Sequence, residues 1–137
     1  MEQYIETISL ATKGQGLYEI TSKISEWLSK QKIKKGLLTI FLQHTSCSLI
    51  IQENADPDVK KDLKKFFDQI APESNNYIHQ SEGPDDMPAH IKSSLMQTHL
   101  SIPIENNQMV LGTWQGVYIF EHRNKSHNRK IKLHCIG

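Results

Sequence analysis

The chain has 137 residues, with Lys+Arg 16 against Asp+Glu 15, a formal net charge of +1, and 37% hydrophobic residues. That length suits one domain, so residues 1–137 are read as a single unit, and interspersed charges exclude a whole-molecule field that would draw it to nucleic acid or an anionic membrane. No run approaches the roughly 20 apolar residues of a membrane span, and the acidic start lacks the pattern of a secretion signal, so a cytoplasmic protein with no membrane partner is expected.

Residues 3–10 read as a strand, and after the turn signal Lys13-Gly14-Gln15-Gly16 the spacing of Ile20, Ile24 and Leu28 predicts an amphipathic helix. The apolar stretch from Leu37 to Asn54 is too polar at its middle for one long helix and divides at His44-Thr45 into two strands. Asp56-Pro57 is a helix start, since Asp accepts from free N–H groups and Pro has none to lose. Val59, Leu63, Phe66, Phe67 and Ile70 then form one stripe. The polar segment Glu73 to Asp86 predicts a long loop carrying His79, Glu82, Asp85 and Asp86. A short helix from about Asp86 to Gln97 follows, then strands near 99–104, 108–121 with a break at Gly112–Gly116, and 129–136. This order does not alternate as a doubly wound sheet does, so an α+β fold with a mixed sheet is expected. Cys47 and Cys135 have neither zinc nor redox spacing and read as buried thiols.

The seven histidines are the unusual feature of the composition. His44 is in phase with Leu38, Ile40 and Leu42, which places an imidazole at the end of an apolar strand face, with Thr45 and Ser46 beside it. Asn54 and Asp56 follow the next strand, where Asp56 also reads as a helix cap. His79, Glu82 and His90 are spaced so that a folded loop brings two imidazoles and a carboxylate to one point. Solvated surface histidines are the plainer reading. Glu121 shares its phase with Val117 and Ile119, so its carboxylate must be paired, hydrogen-bonded, metal-bound or at a wet strand end. A mixed N/O set of this kind suits zinc, manganese or magnesium. Trp114 and Gln115, between two glycines, read as a ring-binding pair or as a core tryptophan with small neighbours. Lys92 can meet phosphate, whereas Arg123, Lys125, Arg129 and Lys130 read as a solvated basic turn.

The strings Gln43-His44-Thr45-Ser46, Glu53-Asn54-Ala55-Asp56-Pro57, the run from Glu82 to Lys92, and Leu111-Gly112-Thr113-Trp114-Gln115-Gly116, in this order, resemble the YjbQ family of small bacterial and archaeal proteins. The resemblance spans essentially the whole chain. It implies an α+β fold built on a closed mixed β-barrel with three helices around it, and a homotrimer with clefts between subunits. It also implies a secondary thiamine-phosphate synthase, joining a pyrimidine diphosphate to a thiazole phosphate, with His44, His79, His90 and Glu121 as site residues. Gln97, His99, Cys47 and the turn Arg123–Arg129 depart from the family pattern.

Three readings follow. The first is a metal-assisted enzyme of that kind, in which a divalent ion (zinc, manganese or magnesium) on His44, His79 and His90 meets a departing diphosphate. There His44, Glu121, Asp56 and Asn54 serve the chemistry, and Thr45, Ser46, Lys92, Trp114 and Gln115 bind substrate. The second is a metal-dependent hydrolase of a small phosphoester. The third is a non-catalytic trimeric ligand-binding protein. Nucleic-acid binding ranks last, because there is no basic stripe with interleaved aromatics.

Overall fold

A computed structural model describes residues 1–137. Its elements in chain order are β1 (Gln3–Thr12), β2 (Gly16–Glu19), α1 (Thr21–Ser29), β3 (Lys35–Leu42), β4 (Cys47–Glu53), α2 (Pro57–Ile70), α3 (Asp86–Leu95), β5 (His99–Glu105), β6 (Gln108–Met109), β7 (Gln115–Glu121) and β8 (His127–Ile136). The fold is α+β with three helices, as expected, but the mixed sheet is corrected. Every strand pair is antiparallel, and the strands divide into two curled sheets, β1-β8-β3-β5-β6 and β2-β7-β4. The backbone link from β4 toward β5 is one isolated bridge, Leu49 to Gln97, and the two curled sheets together form a half-barrel.

Alternation along β3 sets the core. Leu38, Ile40 and Leu42 point inward, and the register lays them beside Cys135, Leu133 and Ile131 of β8, and Ile102 and Leu100 of β5. These residues join Leu49 of β4, Val117 and Ile119 of β7, and Ile20, Ile24 and Leu28 at α1 in one cluster between the sheets. Each fully buried aliphatic side chain there stabilises the fold by about 2 kcal/mol. Gly16, expected to close the turn from Lys13, instead opens a short edge strand, Gly16–Glu19, that pairs with β7. A pair of left-handed residues, Asn106 and Asn107, makes the tight β5–β6 turn. No helix is long and apolar enough to cross a membrane.

Candidate metal centre

The long loop and the start of α3 gather one group of ligand-type side chains. Asp86 and His90 lie one turn apart on α3 and so share a face, while the loop folds back through Gly83, at φ +107°, to bring His79 and Glu82 to them. The ligand atoms of His79, Glu82, Asp86 and His90 all lie within 4.8 Å of one another. Donors held ~2.1 Å from one ion lie up to about 4 Å apart, so modest contraction seats a cation among them. His79 Nε2 donates to Asp86 Oδ2 at 2.6 Å, and Glu82 lies 3.7 Å from the same nitrogen.

The Thr45 carbonyl fixes the orientation of His90, because a carbonyl only accepts and Nδ1 donates to it at 3.0 Å. Nε2 is thereby aimed at Asp86 Oδ2, 3.1 Å away, where a proton or a cation joins the two. Asp86 itself is buried, which pushes its pKa up, but the His79 hydrogen bond and the Arg123 charge outweigh this and hold it below the usual carboxylate range. The carboxylate is therefore ionised and ligand-ready at neutral pH.

His44, expected to share the ion, stands outside this group. Its Nε2 accepts from the Lys130 backbone N–H at 2.8 Å, and Arg129 Nη1 approaches Nδ1 at 3.5 Å. Burial and then the Arg129 charge lower its pKa, and with its lone pair spent on backbone the ring stays neutral. Together with Thr45 it lines a cavity of about 430 Å³.

Glu121 is fully buried and bonded on both oxygens. Oε1 accepts from Thr12 Oγ1 at 2.6 Å and Arg129 Nε at 2.7 Å, and Oε2 from Arg129 Nη2 and the backbone of His122 and Arg123. Burial raises its pKa, yet the Arg129 hydrogen bonds prevail and the net shift is downward. Of the alternatives the sequence left open, pairing is the one realised. Arg129 also donates to Ser46 Oγ at 3.0 Å, so Ser46 is part of this buried network. The solvated basic turn is corrected for two of its members, because Arg129 pairs with Glu121 and Arg123 with Asp85 and Asp86.

The remaining expected site residues lie elsewhere. Cys47 pairs with Glu121 at one end of the β4–β7 ladder and Glu53 with Gln115 at the other, so the seven residues of β4 separate the two groups by about 20 Å. Asn54, Asp56, Trp114 and Gln115 gather at that far end. Asp56 Oδ1 caps α2 by accepting from Asp58 N at 2.9 Å, Asn54 Nδ2 reaches the Thr113 and Gln115 carbonyls, and Gln115 Oε1 accepts from Gly112 N. Trp114 is 63% exposed, so the core-tryptophan alternative is not realised. Lys92 is buried against Asp68, with Nζ to Oδ1 at 2.7 Å, which leaves it no free charge for phosphate. Asp86, buried at the start of α3, is the ligand that sequence reasoning placed on the loop without a role. The i, i+4 spacing of Asp86 and His90 was the signal for it.

A small antiparallel α+β half-barrel carrying a His/Asp/Glu ligand cluster at one sheet end is the class that these observations define. The profile of the family described as "UPF0047 protein YjbQ-like" matches residues 6–137. A UPF0047 protein of Synechocystis is 50% identical over 98% of this chain and 92% of its own length, and YjbQ of Escherichia coli O157:H7 is 42% identical over 93% and 94%. Among solved structures, an uncharacterized YjbQ/UPF0047 protein of Clostridium acetobutylicum superposes with TM-score 0.88 at 35% identity, covering 96% of this chain and 99% of that one. A protein of unknown function from Sulfolobus solfataricus shares the fold at TM-score 0.90 and 22% identity. The chain belongs to the YjbQ-like UPF0047 family.

Proposed function

We propose that the chain is a metal-assisted enzyme of the secondary thiamine-phosphate synthase kind, joining a pyrimidine diphosphate to a thiazole phosphate, with its divalent ion on His79, Asp86, His90 and Glu82. The observation that carries the metal centre is the convergence of His90 Nε2, aimed by the Nδ1 bond to the Thr45 carbonyl, with the ligand atoms of His79, Glu82 and Asp86, all within 4.8 Å of one another. The bound ion supplies positive charge to a departing diphosphate. The imidazole and carboxylate donors suit zinc or manganese better than calcium.

The residues of the chain do the remaining work. Thr45 orients His90 through its carbonyl, and Arg123 occupies the Asp86 oxygen that the imidazoles leave free. Glu82, whose side chain is 64% exposed, is the most solvent-facing member of the cluster. A cavity of about 690 Å³ beside His79, lined by Tyr77, Ile78 and Met87 with the amides of Asn76 and Gln80, offers room for an uncharged heterocycle. Lys92, Arg123 and Arg129 are already bound to carboxylates, so recognition of phosphate charge falls mainly to the ion.

In the assay, wild-type protein with Mn²⁺ or Zn²⁺ forms thiamine phosphate from the two precursors, and a His79→Ala, His90→Ala variant loses at least ~100-fold of that rate. Equal rates in the two proteins overturn the synthase reading. The exposed Glu82 carboxylate supports a second reading, hydrolysis of a small phosphoester with Glu82 taking a proton from the attacking water. Hydrolysis without a second organic substrate distinguishes it, and metal binding with no turnover of either kind supports a ligand-binding role.

The homotrimer that the family resemblance implies is the assembly in which the Trp114 group of one subunit and the histidines of another can meet. Sedimentation of the full chain at one chain mass contradicts that assembly.

A further inference from the structure

Arg123 is the one side chain that bonds three separate groups of the ligand-bearing segment. Its Nη1 donates to Asp86 Oδ1 at 2.7 Å, Nε to Asp85 Oδ2 at 2.9 Å, and Nη2 to the Glu82 carbonyl at 2.9 Å. The side chains involved are 11% exposed for Arg123, 8% for Asp85 and 2% for Asp86, so water competes little for the two carboxylate bonds. The neighbouring backbone is fixed as well, since Asn124 N donates to Asp85 Oδ2 at 2.8 Å and Arg123 N to Glu121 Oε2 at 3.3 Å. Glu121 is in turn gripped by Arg129 and Thr12. The support thus runs from the buried Glu121–Arg129 pair, through the Arg123 backbone, to the loop that carries the ligands.

We infer that Arg123 is the positioning residue of the metal centre: its guanidinium divides the Asp86 carboxylate, keeping Oδ1 for itself and presenting Oδ2 to the ion, while it holds the Glu82 backbone in register with His79. The inference rests on the metal centre proposed above. A planar fork with donors on three edges is needed for this, and a lysine supplies only a point charge. Partners that orient a ligand carboxylate commonly contribute ~10–100-fold to metal affinity. A guanidinium acting only through its charge would instead repel a cation.

The test is titration calorimetry with Zn²⁺ and Mn²⁺ on the metal-stripped full chain, comparing wild type, Arg123→Lys and Arg123→Gln, with thermal midpoints taken without metal. Arg123→Lys keeps the charge and loses the fork. It is expected to bind ~10–100-fold more weakly, and Arg123→Gln at least as weakly, while both show a cooperative unfolding transition. Wild-type affinity in Arg123→Lys, or tighter binding in Arg123→Gln, overturns the inference even where the midpoints fall, because a merely structural role lowers stability and leaves the affinity of the folded protein unchanged. Should those variants not fold, Asp85→Ala, which removes the Arg123 Nε contact together with the Asn124 N–H contact and leaves Arg123 its bonds to Asp86 and Glu82, decides in the same way: weaker binding supports the role and unchanged binding overturns it. Absence of binding by the wild type overturns the metal centre itself along with this inference.

Discussion

His90 and His122 each commit one ring nitrogen to a fixed partner, and their surroundings determine what the other nitrogen does. In His90 the other nitrogen faces a carboxylate and a ligand cluster. In His122, Nε2 meets Ser48 Oγ at 2.9 Å, and Nδ1 is buried without a partner beside the Phe120 ring. Burial, then the Lys92 charge, pushes its pKa down to about 3. Between that value and the ordinary value of 6.5 the unfolded chain binds the extra proton, so stability falls as pH drops through this window. Wild type should lose about 2 kcal/mol from this group between pH 7 and pH 5, and His122→Phe should flatten the slope by that amount in urea titrations at the two pH values. An unchanged slope contradicts the assignment. Glu121 has the carboxylate sign: its folded pKa is depressed, so its stabilisation is present above the ordinary carboxylate range and is lost as pH falls through the lowered folded value. Arg129→Met, which leaves Glu121 buried and unpaired, should cost roughly 3–5 kcal/mol, whereas Glu121→Leu with Arg129→Met should cost much less. Equal costs would show that the pairing is not the source of the effect.

The strand β4 and helix α2 show how far one sequence carries the reading. The helix start at Asp56-Pro57, the stripe of α2 and the alternation of β3 were legible, because each is a local pattern of period 3.6 or 2 closed by a local cap. The gathering of His79, Glu82 and His90 was legible for the same reason, since one loop and one helix turn hold all three. The exclusion of His44 and the pairing of Glu121 with Arg129 were not, because each depends on how β8, in one sheet, lies against residues from outside it. The far group of Asn54, Asp56, Trp114 and Gln115 was joined to the histidines in the sequence reading because strand ends look alike until their register is known. Asp56→Ala should therefore cost about 1 kcal/mol of stability through the lost cap and leave metal affinity unchanged. A fall in metal affinity as large as that of His90→Ala would return Asp56 to the site. The α2 stripe itself is only half-buried, with Phe66 57% exposed, so α2 contributes less than its amphipathic pattern suggests.

At the scale of the molecule, the half-barrel supplies a rigid floor, and α3 with the long loop lays the ligand cluster over one end of it. Binding of an ion to the folded form alone should raise stability by about 2.7 kcal/mol at a hundredfold excess over Kd, read as an upward shift of the thermal midpoint that chelator reverses. The same shift should vanish in Asp86→Asn and persist in Trp114→Ala, which lies at the other end of β4. The most direct measurement is elemental analysis of chain purified without chelators, wild type beside His79→Ala, His90→Ala. One equivalent of a divalent transition metal per wild-type chain, absent from the variant, is the predicted result. The same metal content in both proteins, or none recoverable in the wild type after reconstitution with zinc and manganese, would contradict it.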